Sequence, residues 1–81
     1  MDTVVGLQLF IRVVETGSFS KASAGLGISQ PTATKHVAAL EKRLGALLFH
    51  RSTRGVTPTG VGLAYYDKAK VIARELEDAD N

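Results

Sequence analysis

A chain of 81 residues, 44% apolar and 22% charged, holds one domain with one small core and is too ordinary in composition for a disordered segment. It contains no cysteine, which excludes disulfide staples and thiolate metal sites and makes a partner subunit an expected source of extra stability. The net charge of +2 is unevenly spread: residues 1–34 are neutral, residues 35–54 carry Lys35, Lys42, Arg43, Arg51 and Arg54 against Glu41 alone, and residues 55–81 are net acidic. The most apolar run, Val4 to Val14, is interrupted by Gly6, Gln8 and Arg12. It falls short of the roughly 20 residues that span a bilayer and lacks the basic start of a signal peptide, so a cytoplasmic chain with no membrane partner is expected.

Periodicity and punctuation predict five elements. A first helix runs from about Thr3 to Thr16, with Leu7, Phe10 and Val14 on one stripe and Leu9, Ile11 and Val13 off it. A helix apolar on two sides in so small a domain is expected to have a second partner, which makes Leu9 and Val13 candidate dimerisation residues. Gly17 ends this helix. Ser18 is the N-cap of a second helix carrying Phe19, Ala22, Ser23 and Leu26, and Gly27 is placed for a left-handed turn. Ser29 caps a third helix over about Gln30 to Leu44, with Pro31 in its first turn, where no intrahelical donor is lost, and Ile28 able to pack on Ala33. Two helices joined by so short a glycine turn form a helix-turn-helix. Ala33, Val37, Leu40 and Leu44 should face inward and Gly45 should end the helix. Leu47 to Phe49 then read as a strand, His50 to Gly55 as a turn, and Val56 and Thr57 as the return strand: a wing with a basic tip. Thr59 caps a fourth helix whose Val61, Tyr65, Ala69, Ile72, Leu76 and Ala79 recur at steps of three and four, the seam of a coiled-coil-like pair.

The fold class expected is therefore mainly α: a winged helix-turn-helix with a three-helix core and a two-stranded wing over residues 1–58, followed by a long linker or dimerisation helix over residues 59–81. Winding the third helix at 100° per residue turns Gln30, Pro31, Thr34, Lys35, Ala38 and Lys42 outward, with Ser29 at the head of the same face. These groups suit the major groove of duplex DNA: Gln pairs with adenine, Lys reaches guanine or phosphate, and Pro31 or the Thr34 methyl can touch a thymine methyl. Arg51 and Arg54 on the wing are candidates for phosphate or minor-groove contact, although Arg51 could instead form an ion pair that supports the hairpin. Ser18 and Ser20 could each donate to a phosphate. Taken singly, each of these residues also reads as ordinary solvated surface.

A protein-docking module is the competing function, but the outer helix face shows no aromatic or aliphatic anchor. A fragment of a nucleic-acid enzyme is disfavoured because no nucleophile, base and orienting group can be assembled. His36 and His50 are expected as surface imidazoles and not metal ligands. Gly60 and Gly62 match no phosphate-binding loop. No cofactor is expected.

The segments Gly17-Ser18-Phe19-Ser20-Lys21-Ala22 and Ile28-Ser29-Gln30-Pro31-Thr32-Ala33-Thr34-Lys35 resemble the N-terminal domain of LysR-type transcriptional regulators. Leu40-Glu41, Leu44-Gly45, Leu48-Phe49-His50-Arg51 and Thr59-Gly60-Val61-Gly62 continue the resemblance, which covers nearly the whole chain. It implies transcriptional regulation, base or backbone contacts by Gln30, Pro31, Thr34 and Lys35, and phosphate contacts by wing residues such as Arg54. It also implies a homodimer on an interrupted palindrome in a promoter or operator, its linker helices antiparallel, with a tetramer open for an intact regulator. A small-molecule effector would act only through a domain that this chain does not carry. Three positions depart from the family pattern. Lys35 stands where arginine is common, which favours a point charge over a planar fork. Leu47 stands where proline is frequent, and Pro58 replaces a common leucine.

Overall fold

The computed structural model describes residues 3–53 and 55–80, the last of these by its backbone alone. Arg54, a candidate on the wing, lies outside the described residues. In chain order the elements are α1 (Thr3–Thr16), α2 (Phe19–Leu26), α3 (Gln30–Leu44), β1 (Phe49–Ser52), β2 (Gly55–Pro58) and α4 (Gly60–Asp80). The four helices fall where periodicity and caps place them. The Ser18 hydroxyl accepts from the Lys21 N–H at 3.1 Å, and the Ser29 hydroxyl accepts from the Thr32 N–H at 3.3 Å. Each satisfies one of the donors left orphaned in a first helical turn.

The turn between α2 and α3 has a definite cause. Gly27 adopts φ 69°, ψ 29°, a left-handed conformation that any Cβ would strain. Its N–H donates to the Ala24 carbonyl at 3.2 Å, and the Ile28 N–H donates to the Ser23 carbonyl at 3.0 Å. This paired closure caps α2 and releases the chain within two residues into the cap of α3. Gly45 closes α3 in the same way, with the Ala46 N–H on the Glu41 carbonyl.

α1 lies at the centre of the domain, packed by α2 and α3 on one side and by α4 on another. This corrects the reading of its second apolar face. Leu9 and Val13 are both 0% exposed within the chain, so neither is available to a second subunit. What covers that face is α4 of the same chain: Tyr65 sets its ring edge-on to Phe10 at 5.2 Å, and Ala69 is fully buried. The Tyr66 hydroxyl adds a bond to Glu15 Oε2 at 2.7 Å, and that bond is the main cause of a raised Tyr66 pKa. Thus the seam read along α4 is divided. Tyr65 and Ala69 turn into the domain core, whereas Val61, Ile72 and Leu76 remain exposed, as do Leu63 and Val71 outside the stripe.

Two further expectations are revised. Leu44 is 39% exposed and does not join Ala33, Val37 and Leu40 in the core, because α3 ends there and the chain turns away at Gly45. In the wing, β1 begins at Phe49 and runs through Ser52, so most of the polar stretch expected as a turn is strand. Its partner β2 pairs antiparallel in the register Phe49↔Pro58 to Ser52↔Gly55. Only Phe49 of β1 is buried, so the strand has little need of apolar residues.

Leu47 and Leu48 stay outside the ladder because their backbone groups are satisfied elsewhere. The Leu48 N–H donates to Glu41 Oε2 at 2.7 Å, the Leu47 carbonyl accepts from the Thr59 hydroxyl at 2.7 Å, and the Leu48 carbonyl accepts from the Thr59 N–H at 2.9 Å. Thr59 Oγ1 in turn accepts from the Gly62 N–H at 3.0 Å, capping α4.

Candidate nucleic-acid interface

The outer face of α3 carries the expected residues. Gln30, Pro31, Lys35, Ala38 and Lys42 are exposed and Thr34 is half-buried. Carboxylates are absent from this face between Gln30 and Leu40. Pro31 has no N–H and the Thr32 and Ala33 N–H groups are taken by Ser29, so what this face offers an anionic ligand is the positive end of the helix dipole and its polar and cationic side chains.

Not every hydroxyl on this face is free to act. Ser29 accepts from the Thr32 N–H and donates to Thr32 Oγ1 at 2.8 Å, so its donor is taken up in the cap. Thr34 donates to the Gln30 carbonyl at 3.1 Å, which leaves its methyl and an acceptor for anything outside.

Four candidates from three separate elements meet at one place. Ser18, Ser20, Gln30 and Arg51 line an open depression of about 520 Å³, together with residues of the wing. The start of α2, the start of α3 and β1 thus converge on a single concave surface. Ser20 is exposed and its carbonyl accepts from Ser23 Oγ, while Ser18 serves as the α2 cap. Lys35 does not line this depression. Ala38 lines a second one farther along α3, with Glu41, Leu47, Phe49 and Arg51. Arg51 borders both.

The ion pair considered for Arg51 is replaced by a ring contact. Its guanidinium carbon lies 4.6 Å from the centroid of Phe19, and no carboxylate among the described residues pairs with it. Helical spacing puts Phe19 on the second helix with Ala22, Ser23 and Leu26 but gives no sign of this contact with Arg51. Sequence reasoning also missed Glu41, whose carboxylate holds the start of the wing, although a lone acid inside a basic segment was a visible signal. In the sequence Gly62 matches no phosphate-binding loop and counts in the family motif without a packing role. In the structure a Cβ there would overlap the Leu48 carbonyl oxygen. His36 is not a plain surface imidazole either, since its Nδ1 is buried with no hydrogen-bond partner among the described residues. No group of three His, Cys, Asp or Glu among the described residues is placed to hold a metal, and none of their helices is long and apolar enough to cross a membrane.

A short glycine turn between two helices, an exposed polar and cationic face on the second helix, and a β-hairpin beside it define a winged helix-turn-helix DNA-binding domain. Residues 5–63 match the family described as bacterial regulatory helix-turn-helix protein, lysR family, and the chain belongs to that family.

Its relatives are transcriptional regulators. An HTH-type transcriptional regulator of Xanthomonas campestris pv. campestris (strain 8004) is 45% identical over 73 residues, covering 90% of this chain and 21% of the relative. An HTH-type transcriptional repressor of Pseudomonas aeruginosa (strain UCBPP-PA14) is 35% identical over 80 residues, covering 99% of this chain and 25% of the relative. The chain therefore spans about a quarter of the length of the curated relatives it matches. Among solved structures, the CbnR DBD in complex with DNA superposes with a TM-score of 0.90 at 35% identity, covering 99% of this chain and 91% of that one. The BenM DBD in complex with catB site 1 DNA gives 0.90 at 33% identity, covering 98% and 88%.

Proposed function

We propose that this domain binds double-stranded DNA sequence-specifically as the reading head of a LysR-type transcriptional regulator in the cytoplasm, with α3 in the major groove and the wing on the flanking backbone. One observation carries the reading: Ser18, Ser20, Gln30 and Arg51, drawn from three elements, converge beside an exposed α3 edge that carries Lys35. Gln30, Pro31, Thr34, Lys35 and Ala38 are the candidates for base contact. Lys35 acts as a point charge on a guanine edge or a phosphate. Ser18, Ser20 and Arg51 are the phosphate-contacting set, with Arg54 as a further cation from the wing; such contacts set register and orientation on the duplex. Ser29 contributes through the cap of α3.

Residues 1–58 form the DNA-binding unit and 59–81 the linker helix, and two copies associate through the exposed residues Val61, Ile72 and Leu76. The dimer addresses an interrupted palindrome in a promoter or operator. A small-molecule effector, or assembly to a tetramer, belongs to a further domain of an intact regulator.

The experiment is selection of bound duplexes from a random pool, followed by affinity measurements on the selected and scrambled sequences across a salt series. A selected sequence is expected to bind more tightly than its scrambled form, with log affinity falling linearly with log salt as counterions are released. Equal affinity for both sequences, or binding indifferent to salt, would count against the proposal.

A further inference from the structure

Arg51 is an exposed cation on a two-stranded wing, where a long side chain would ordinarily sample many rotamers and lose that freedom on binding. Here it has a platform. The Phe19 ring beneath it, 4.6 Å from the guanidinium carbon, is buried on α2 and cannot swing away. Phe19 stands edge-on to Phe49 at 6.0 Å, and Phe49 packs tilted on Phe10 at 5.4 Å. Three rings from α2, β1 and α1 thus lock one another, and the outermost presents its face to the guanidinium.

A cation over a ring face is held by the ring quadrupole without use of its N–H donors. An ion pair would occupy those same donors. With no carboxylate partner among the described residues, Arg51 keeps its planar fork available at the depression where Ser18 and Ser20 also lie. Guanidinium is the side chain best matched to a phosphate in two-point contact.

We propose that Phe19 is a positioning residue for DNA binding: its ring seats the Arg51 guanidinium beside Ser18 and Ser20, pre-organised for a backbone phosphate. The inference rests on the DNA-binding reading above; Phe19 also lines the depression, and its assigned role runs through Arg51.

The test uses the 81-residue chain and a mixed-sequence duplex, since a phosphate contact does not depend on the operator. Arg51→Ala should weaken binding and make the salt slope shallower by about one. Phe19→Leu should weaken binding about twofold to fivefold, the fold-change matching a ring–cation contact at an exposed site. In the Arg51→Ala background, Phe19→Leu should change affinity no further. Phe19→Tyr keeps the ring and should restore parental binding. Equal losses from Phe19→Leu in both backgrounds would overturn the proposal, because the ring would then act through core stability alone.

A readout without DNA separates this idea from the reading beneath it. The Arg51 side-chain protons should show an upfield ring-current shift by NMR, abolished in Phe19→Leu and retained in Phe19→Tyr. An unshifted Arg51 in the parent overturns the seating, whatever the chain does with DNA. A shifted Arg51 in a chain that binds no duplex overturns the DNA-binding reading and the phosphate role with it.

Discussion

Glycine at position 62 decides how closely α4 can approach the wing. A Cβ there would overlap the Leu48 carbonyl oxygen, an atom already fixed by the Thr59 N–H at 2.9 Å. Helix propensity argues for alanine, worth up to about 1 kcal/mol over glycine in a helix interior. The overlap argues against it, since forcing one extra carbon against packed backbone costs about 1–3 kcal/mol. The steric effect should win, so Gly62→Ala is expected to lower the melting temperature. Gly60 is the control: a Cβ there meets nothing within 4 Å, and Gly60→Ala should leave the melting temperature unchanged or slightly raised. Thermal unfolding of the pair checks both expectations, and a Gly62→Ala chain as stable as the Gly60 variant would refute the close-approach account.

Glu41 belongs to a single helix yet settles where the next element begins. Its carboxylate accepts the Leu48 N–H at 2.7 Å, directing the chain from the end of α3 into the wing. A hydrogen bond to a charged, partly buried acceptor contributes about 1.5–3 kcal/mol. Glu41→Ala should therefore cost about that much in denaturant unfolding, with the earliest loss of amide protection at Leu48. A Leu48 amide as protected in the variant as in the parent would show that the contact holds nothing.

At this scale the helices were legible in the sequence, because caps and glycine stops act locally: Ser18, Ser29, Gly27 and Gly45 each do their work within a few residues. The wing was less legible. β1 is a mostly exposed strand of Phe49, His50, Arg51 and Ser52, for which apolar alternation carries no information. Leu47 and Leu48 look like strand but are held by Glu41 and Thr59, partners seven and twelve residues away. The α3 face of the candidate site could be read from helical spacing alone. The convergence of Ser18, Ser20, Gln30 and Arg51 could not, since it depends on how three elements pack.

The whole molecule turns on which apolar surface remains once the chain has satisfied itself. The second face of α1 and the Tyr65–Ala69 portion of α4 cover each other, so the domain core is completed without a partner. Left exposed on α4 are Val61, Ile72 and Leu76 of the seam, with Ile72 at 46%, and Leu63 and Val71 outside it. α4 has 21 residues, about 32 Å of helix at 1.5 Å per residue, which is long enough to align two domains along their linkers. A dimer formed there would present two α3 helices to half-sites about 34 Å apart, one turn of DNA, or a multiple of it. Tethering would make the second contact intramolecular and raise the overall affinity well above that of one head.

Two substitutions separate this surface from the domain core. Ile72→Glu places a charge at an exposed seam position, where it disfavours association but leaves the monomer folded. It should shift sedimentation from dimer to monomer, preserve the helical circular dichroism, and abolish the advantage of a two-half-site duplex over a single half-site. Leu9→Glu instead buries a charge with no partner and should unfold the chain. If Ile72→Glu leaves the sedimentation coefficient unchanged, α4 is not the association surface, and the proposed pairing of two copies through Val61, Ile72 and Leu76 fails.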